Sequence, residues 1–195
     1  MERGRSKHRP RNAPELFGGV YPFIQTGDVA NSDVYITAHK QTLSEVGLAQ
    51  SRLFPTGTLC ITIAANIGDV AILSYDSCFP DSVVGFTPNN QNNSKFFFYA
   101  MSIMQQKLES EAPATAQKNI NLRILTEVEL ILPTLPEQLE IVRILDSLLK
   151  NEKSARELSD TLEKIDLMKK SILARAFRGE LGTNDPREES ALGLL

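Results

Sequence analysis

Apolar and polar positions change rhythm once along this chain. Up to about residue 132 the apolar residues come in short runs between turn residues. Beyond that point they recur at three- and four-residue spacing, and Leu132-Pro133-Thr134-Leu135-Pro136-Glu137-Gln138 divides the two regimes. Past the divide, Ile141, Ile144, Leu148, Ala155, Leu158, Leu162, Ile165 and Ile172 occupy heptad a and d positions, with Asn151 at a d and Lys169 at an a. No Gly or Pro interrupts 137–178, Pro136 suits the first helical position and Gly179 is a natural stop, so the pattern predicts one helix over 136–178. Such a rod spans roughly 64 Å at about 1.5 Å per residue. It cannot bury its seam along its full length against a small domain, so it calls for a second helix. Asn151 and Lys169 weaken that packing while restricting its register. A hairpin folding back near Asn151 is the alternative.

In the first regime, Tyr21-Pro22-Phe23-Ile24 predicts a short strand entering a turn at Gly27-Asp28. Leu59-Cys60-Ile61-Thr62-Ile63-Ala64 predicts a buried strand, followed by a turn at Asn66-Ile67-Gly68-Asp69. Val70-Ala71-Ile72-Leu73 and Val83-Val84-Gly85-Phe86 supply two more strands. Ser94 reads as the N-cap of a helix to about Ser110, with Phe97, Met101, Met104 and Leu108 as its core-facing stripe. Residues 112–121 read as a loop, and Leu130-Ile131-Leu132 as a last strand. The expected fold class is α+β, a strand-rich mixed domain followed by one long coiled-coil helix. The expected boundaries are a flexible basic arm at 1–17, the domain at 18–134, the helix at 135–179 and a tail at 180–195.

Composition narrows what such a chain does. With 195 residues and 42% hydrophobic content it holds a real core, and a net charge of −3 gives no overall cationic field, so any DNA contact must be local. Cys60 and Cys78 have neither C-x-x-C spacing nor a neighbouring His, which points to two buried thiols rather than a zinc site or a disulfide. The leader carries Arg3, Arg5, Lys7, Arg9 and Arg11 but no apolar core of a signal peptide, and no apolar run reaches the roughly 20 residues of a membrane span. A cytoplasmic protein with no membrane contact is expected.

The sequence lacks a G-x-G-x-x-G fingerprint, a Walker A motif and the Asn/Asp-Pro-Pro-aromatic signature of amino-methylating DNA methyltransferases. A catalytic triad would rest on His39 alone. Asp69, Asp81, Glu127 and Glu129 superficially suit a metal-dependent nuclease, but no lysine follows Glu127 in Glu-x-Lys spacing. The alternation Glu127-Val128-Glu129-Leu130 is that of any half-exposed strand.

Several stretches in combination resemble the specificity subunit of type I restriction-modification systems. Tyr21-Pro22-Phe23-Ile24-Gln25-Thr26-Gly27-Asp28-Val29 is similar to that family's opening motif, and Phe54-Pro55-Thr56-Gly57-Thr58-Leu59 with Ile67-Gly68-Asp69-Val70-Ala71 to its central strand pair. Gln117-Lys118-Asn119-Ile120-Asn121, the Leu132 to Gln138 divide and Ile172-Leu173-Ala174-Arg175-Ala176-Phe177-Arg178-Gly179-Glu180-Leu181 resemble the boundaries of its helical region. The resemblance implies a target recognition domain and a spacer helix in a subunit that does no chemistry itself. Such a subunit binds double-stranded DNA and methyltransferase (modification) subunits and, through the complex, restriction subunits. It implies no cofactor on this chain, with S-adenosylmethionine, ATP and Mg belonging to the partners. Family members usually carry two recognition domains and two antiparallel helices, whereas this chain has one of each. It is therefore either a half-length subunit working as a homodimer or a piece of a longer protein.

Base reading needs side-chain donors and acceptors on loops, while phosphate contacts need positive charge. Thr115, Gln117, Lys118 and Asn119 offer both and resemble a functional loop of the family. Gln25, Thr26, His39, Lys40, Gln41 and Asn66 come second. The expected dimer interface is the seam of Ile141, Ile144, Leu148, Asn151, Ala155, Leu158, Leu162, Ile165, Lys169 and Ile172. Two other functions stay open on sequence alone, a coiled-coil scaffolding protein with a protein-binding head and the metal-dependent nuclease.

Overall fold

A computed structural model describes residues 1–7, 10, 12–64, 67–111 and 122–181. In chain order its elements are β1 (Glu2–Arg3), β2 (Phe17–Phe23), α1 (Thr26–Ala30), β3 (Tyr35–Ile36), β4 (Gln41–Leu43), α2 (Glu45–Ala49), β5 (Leu53–Phe54), β6 (Leu59–Thr62), β7 (Val70–Leu73), β8 (Ser77–Cys78), β9 (Val83–Phe86), α3 (Ser94–Glu111), α4 (Leu122–Thr126) and α5 (Leu135–Phe177). They fall into two compact units, Met1–Val142 and Arg143–Leu195. The fold is α+β.

The three uninterrupted apolar runs become the middle of a five-stranded sheet of order β1-β9-β6-β7-β3, and a second sheet runs β4-β2-β8-β5. β6 pairs antiparallel with both neighbours, setting Cys60 opposite Ala71 on one side and Gly85 on the other. Side chains alternate across the sheet. Leu59, Ile61, Ile72 and Val84 pack against Phe96, Phe97, Met101 and Leu108 of α3 and Leu125 of α4. Cys60, Ala71, Leu73 and Val83 pack the other way, among Ile24, Val29, Ile36, Phe54 and Phe79. Both faces are covered, which is why these strands are apolar throughout instead of alternating. Gly85 is required by this packing: the rings of Phe54 and Phe79 stack with centroids 4.0 Å apart, and a Cβ at Gly85 would fall 2.8 Å from atoms of both.

Several local expectations are corrected. The leader expected to be a flexible arm begins as a strand, with Glu2 and Arg3 paired opposite Gly85 and Val84. Gly4 N then donates to Val83 O at 2.9 Å, and Glu2 forms an ion pair with Arg52. The turn expected at Gly27-Asp28 is instead the body of α1. Leu130-Ile131-Leu132 is not a strand: Val128 and Leu130 pack against the α3 side of the core, β1 and β3 hold the edges of the adjoining sheet, and Ile131 is 94% exposed. The cap of α3 is Asn93, one residue before the expected Ser94. Its Oδ1 accepts from Lys95 N at 2.9 Å and Phe96 N at 3.1 Å, while Ser94 Oγ donates to Gly57 O at 2.7 Å.

The long helix starts at Leu135, where the expected 135–179 segment begins, which places Pro136 second in it. Thr134 is its cap, and Glu137 Oε2 accepts from Thr134 N at 2.8 Å and Oγ1 at 2.7 Å. These bonds hold the Glu137 carboxyl below its ordinary value. A carboxylate so depressed stabilises the helix start above the ordinary carboxylate range, and that contribution is lost as pH falls through the lowered value. At the far end Glu180 N donates to Arg175 O at 2.9 Å and Gly179 N to Ala176 O at 3.0 Å. With Gly179 at φ +67°, this is a Schellman stop.

Cys60 and Cys78 are free and buried. Burial pushes both thiols above their usual range, at Cys78 against a weaker opposing hydrogen bond with Ser51. In the native protein neither is expected to react with a disulfide reagent at neutral pH, and both should titrate once guanidinium unfolds the chain. A thiol released without denaturant would contradict this core.

Candidate nucleic-acid interface

The polar residues singled out between positions 25 and 41 are separated in sequence, and strand pairing brings them together. β2 and β4 run antiparallel with Phe23 opposite Gln41, and Ile24 N donates to Cys78 O at 2.8 Å, tying the chain down as it leaves β2. Gln25 comes next, its backbone N–H donating to Asp28 Oδ2 at 2.9 Å across the start of α1. Its side-chain Nε2 reaches sideways to donate to Gln41 Oε1. Around that bond the pair keeps the Gln41 NH2 and the second N–H of Gln25 as donors beside the Gln25 oxygen, which also takes part in capping α1. A base edge in the major groove presents the complementary pattern.

This pair stands at the rim of a cavity of about 270 Å³ whose floor includes Phe17, Phe23 and Leu43 and whose polar wall includes Arg5, Lys7, Thr26 and Gln50. The cations arrive there because β1 fixes the leader and Ser51 Oγ donates to Arg5 O at 3.2 Å. A second depression of about 770 Å³ is lined by Asp28, Asp33, Tyr35, His39, Lys40 and Lys95 among others. His39 Nδ1 is 2.9 Å from Tyr75 Oη, and the two rings meet edge to face at 5.3 Å. Burial, with a smaller push from Asp28, raises the Tyr75 hydroxyl. It stays protonated, which suits it to donate to Nδ1 and leaves Nε2 as the ring's remaining polar edge. Lys95 Nζ lies 6.0 Å from the ring centroids of both Tyr35 and Tyr99.

Gln25, Thr26 and Gln41 thus share one cavity and His39 and Lys40 the second depression. Thr115, Gln117, Lys118, Asn119 and Asn66 lie outside the described residues. Arg5, Lys7 and Lys95 join the surface without having been singled out, although basic residues at every second position from Arg3 to Lys7 carry the period of a strand. Two of the nuclease carboxylates are used otherwise. Asp69 Oδ1 accepts from Gln105 Nε2 at 2.7 Å, Glu127 pairs with Arg123 at 2.7 Å, and among the described residues no three metal-binding side chains converge.

In the second unit the expected seam is bare. Leu148 is 58% exposed, Leu158 67% and Leu162 65%, with Ile165 and Ile172 also exposed. Arg156 pairs with Glu152 at 2.6 Å and Lys169 with Asp166 at 3.4 Å. Among the described residues no helix is long and apolar enough to cross a membrane.

A family profile described as the type I restriction modification DNA specificity domain matches residues 4–164. The chain belongs to this family. The chain is 29% identical over 161 residues to the type I restriction enzyme MjaIX specificity subunit of Methanocaldococcus jannaschii, covering 78% of this chain and 37% of that subunit. It is 27% identical over 184 residues to the EcoBI specificity subunit of Escherichia coli, covering 86% of this chain and 39% of that one. Its fold matches the HsdS subunit from Thermoanaerobacter tengcongensis with a TM-score of 0.66 at 20% identity, over 91% of this chain and 42% of that chain. A chain from a type I R-M system structure on complex assembly and conformational transition gives a TM-score of 0.70 at 20% identity, over 91% and 44%. This specificity-domain chain therefore spans less than half the length of those relatives.

Proposed function

We propose that this chain is the non-catalytic sequence-specificity subunit of a type I restriction-modification complex, reading one half-site of double-stranded DNA per copy. Two copies join through the α5 seam as a homodimer, and the paired helices set the distance between half-sites, acting as a spacer ruler. The chain recruits methyltransferase subunits and, through them, restriction subunits, in the cytoplasm. S-adenosylmethionine, ATP and Mg serve those partners, and this chain holds no cofactor. The observation that carries the proposal is the gathering of the Gln25 and Gln41 amides with Arg5 and Lys7 around one cavity, with His39 and Lys40, next to Gln41 in sequence, lining a second depression, in a family described by DNA specificity. The exposed apolar seam of α5 supports the pairing of two helices.

Selection of bound duplexes from a random pool, using the chain co-expressed with methyltransferase subunits, is expected to return two inverted half-sites around an unread spacer of fixed length. Recovery of one isolated half-site would overturn the two-copy arrangement, and recovery without preference would overturn base reading. In the same assay Gln41→Ala should relax one position of each half-site at a cost of about 1–3 kcal/mol. Arg5→Ala with Lys7→Ala should instead weaken all sequences alike and flatten the salt dependence by about two phosphate contacts per chain.

A further inference from the structure

The seam of α5 carries two polar residues, and their positions select how two copies align. In a parallel, in-register pair every a layer meets its own copy, so Lys169 would face Lys169 and set two ammonium groups against each other on the seam. An antiparallel pair layers a against d, which separates them. Among antiparallel alignments one heptad apart, one sets Asn151 against Lys169 of the second copy. The remaining layers there are apolar: Ile144 on Ala176, Leu148 on Ile172, Ala155 on Ile165 and Leu158 on Leu162.

The flanks agree with that alignment. It puts Leu145 beside Leu173 of the second copy, two apolar residues outside the a and d seam. It also sets Glu152 beside Asp166 of the second copy, a like-charge contact offset by the cations each already holds on its own helix, Arg156 and Lys169. The overlap begins near Arg143, where the second unit begins, and leaves Gln138 and Val142 to their own core. Sliding one heptad leaves Asn151 against Leu162 and Lys169 against Ile144. Sliding a second heptad in that direction puts Lys169 against Glu137, whose carboxylate is committed to the Thr134 cap.

We infer that the antiparallel α5 pair of the proposed homodimer takes the register that sets Asn151 against Lys169. This rests on the homodimer proposed above and fixes its alignment. A slip of one heptad changes the separation of the two reading domains by about 10 Å along the axis, so the polar pair also sets the spacer.

The test is disulfide trapping in the full chain, where the native thiols are buried. Ala155→Cys with Ile165→Cys is expected to give a covalent dimer on mild oxidation. Ala155→Cys with Leu158→Cys, which reports the one-heptad slip, and Ala155→Cys alone, which reports a parallel pair, should stay uncrosslinked. Trapping by either of the last two overturns the register while leaving a homodimer. A monomer by light scattering, with no trapping, overturns the homodimer and the register together. As an independent readout, Asn151→Lys should weaken dimerisation at least tenfold, and adding Lys169→Asn should restore it. Failure of that rescue in a folded dimer also overturns the register.

Discussion

A chain carrying glutamate at both Leu158 and Leu162 is expected to be monomeric and to bind a two-half-site duplex no better than a single half-site. In the inferred alignment each of these leucines faces the other across the two-fold axis, so the double substitution gathers four carboxylates at the centre of the pair. Two effects add: the burial lost is about 1.5–3 kcal/mol per leucine, and like charges juxtaposed at an interface cost several kcal/mol more. The dimer dissociation constant should rise by a factor on the order of 10³ or more. Losing the second reader should lower affinity for the paired site by a factor on the order of 10²–10⁴, because the second contact is no longer intramolecular. Both leucines are about two-thirds exposed in the single chain, at 67% and 65%, so the recognition domain should melt unchanged. Light scattering and anisotropy titrations against both duplexes measure the two effects. A variant that stays dimeric would remove the seam as the interface.

The second large effect is on folding. Gln138 is 1% exposed and acts as a bolt: its Oε1 accepts from Asn93 N at 2.9 Å, and its Nε2 donates to Pro133 O at 2.9 Å and Asn92 Oδ1 at 3.2 Å. It holds the first turn of α5 against the residues that cap α3. Gln138→Leu fills similar space but leaves a buried N–H and a carbonyl without partners, at an expected cost of about 2–4 kcal/mol. For a chain of this size that lowers the thermal midpoint by roughly 5–12 °C. Leu139→Gln, at the half-exposed neighbouring position, should be nearly silent in the same melt. Equal midpoints for wild type and Gln138→Leu would show that the bolt carries no stability.

What was legible in the sequence follows from how far each signal reaches along the chain. β6, β7 and β9 were legible because burial on both faces writes an unbroken apolar run, and α5 because dozens of residues repeat one spacing. β3, β5 and β8 are two residues each and carry no period to detect. β1 was missed for the same reason of length: Glu2–Arg3 is two charged residues with no apolar position to mark a strand. Leu130-Ile131-Leu132 misled in the opposite direction: it has the composition of a strand, but part of its apolar surface is taken up by packing and the rest is left to solvent. The divide at Leu132 to Gln138 was recognisable as a motif, yet its chemistry needed the structure: Thr134 and Glu137 form the cap and Gln138 the bolt. The interface was legible as single polar residues at strand ends. Their gathering was not, because it depends on Phe23 lying opposite Gln41 and on β1 carrying Arg5 and Lys7 to the same rim, both of them long-range pairings.

The short outer strands have a consequence for how this chain meets other molecules. Each sheet is bordered by strands of two or three residues, β1 and β3 on one and β4 and β5 on the other. Among the described residues no border offers a run of unsatisfied amides long enough to template strand addition. Adhesion is thereby channelled to the helical element, where a defined partner completes it. Self-association should accordingly be reversible on dilution, and a preparation left at high concentration should accumulate no fibrils.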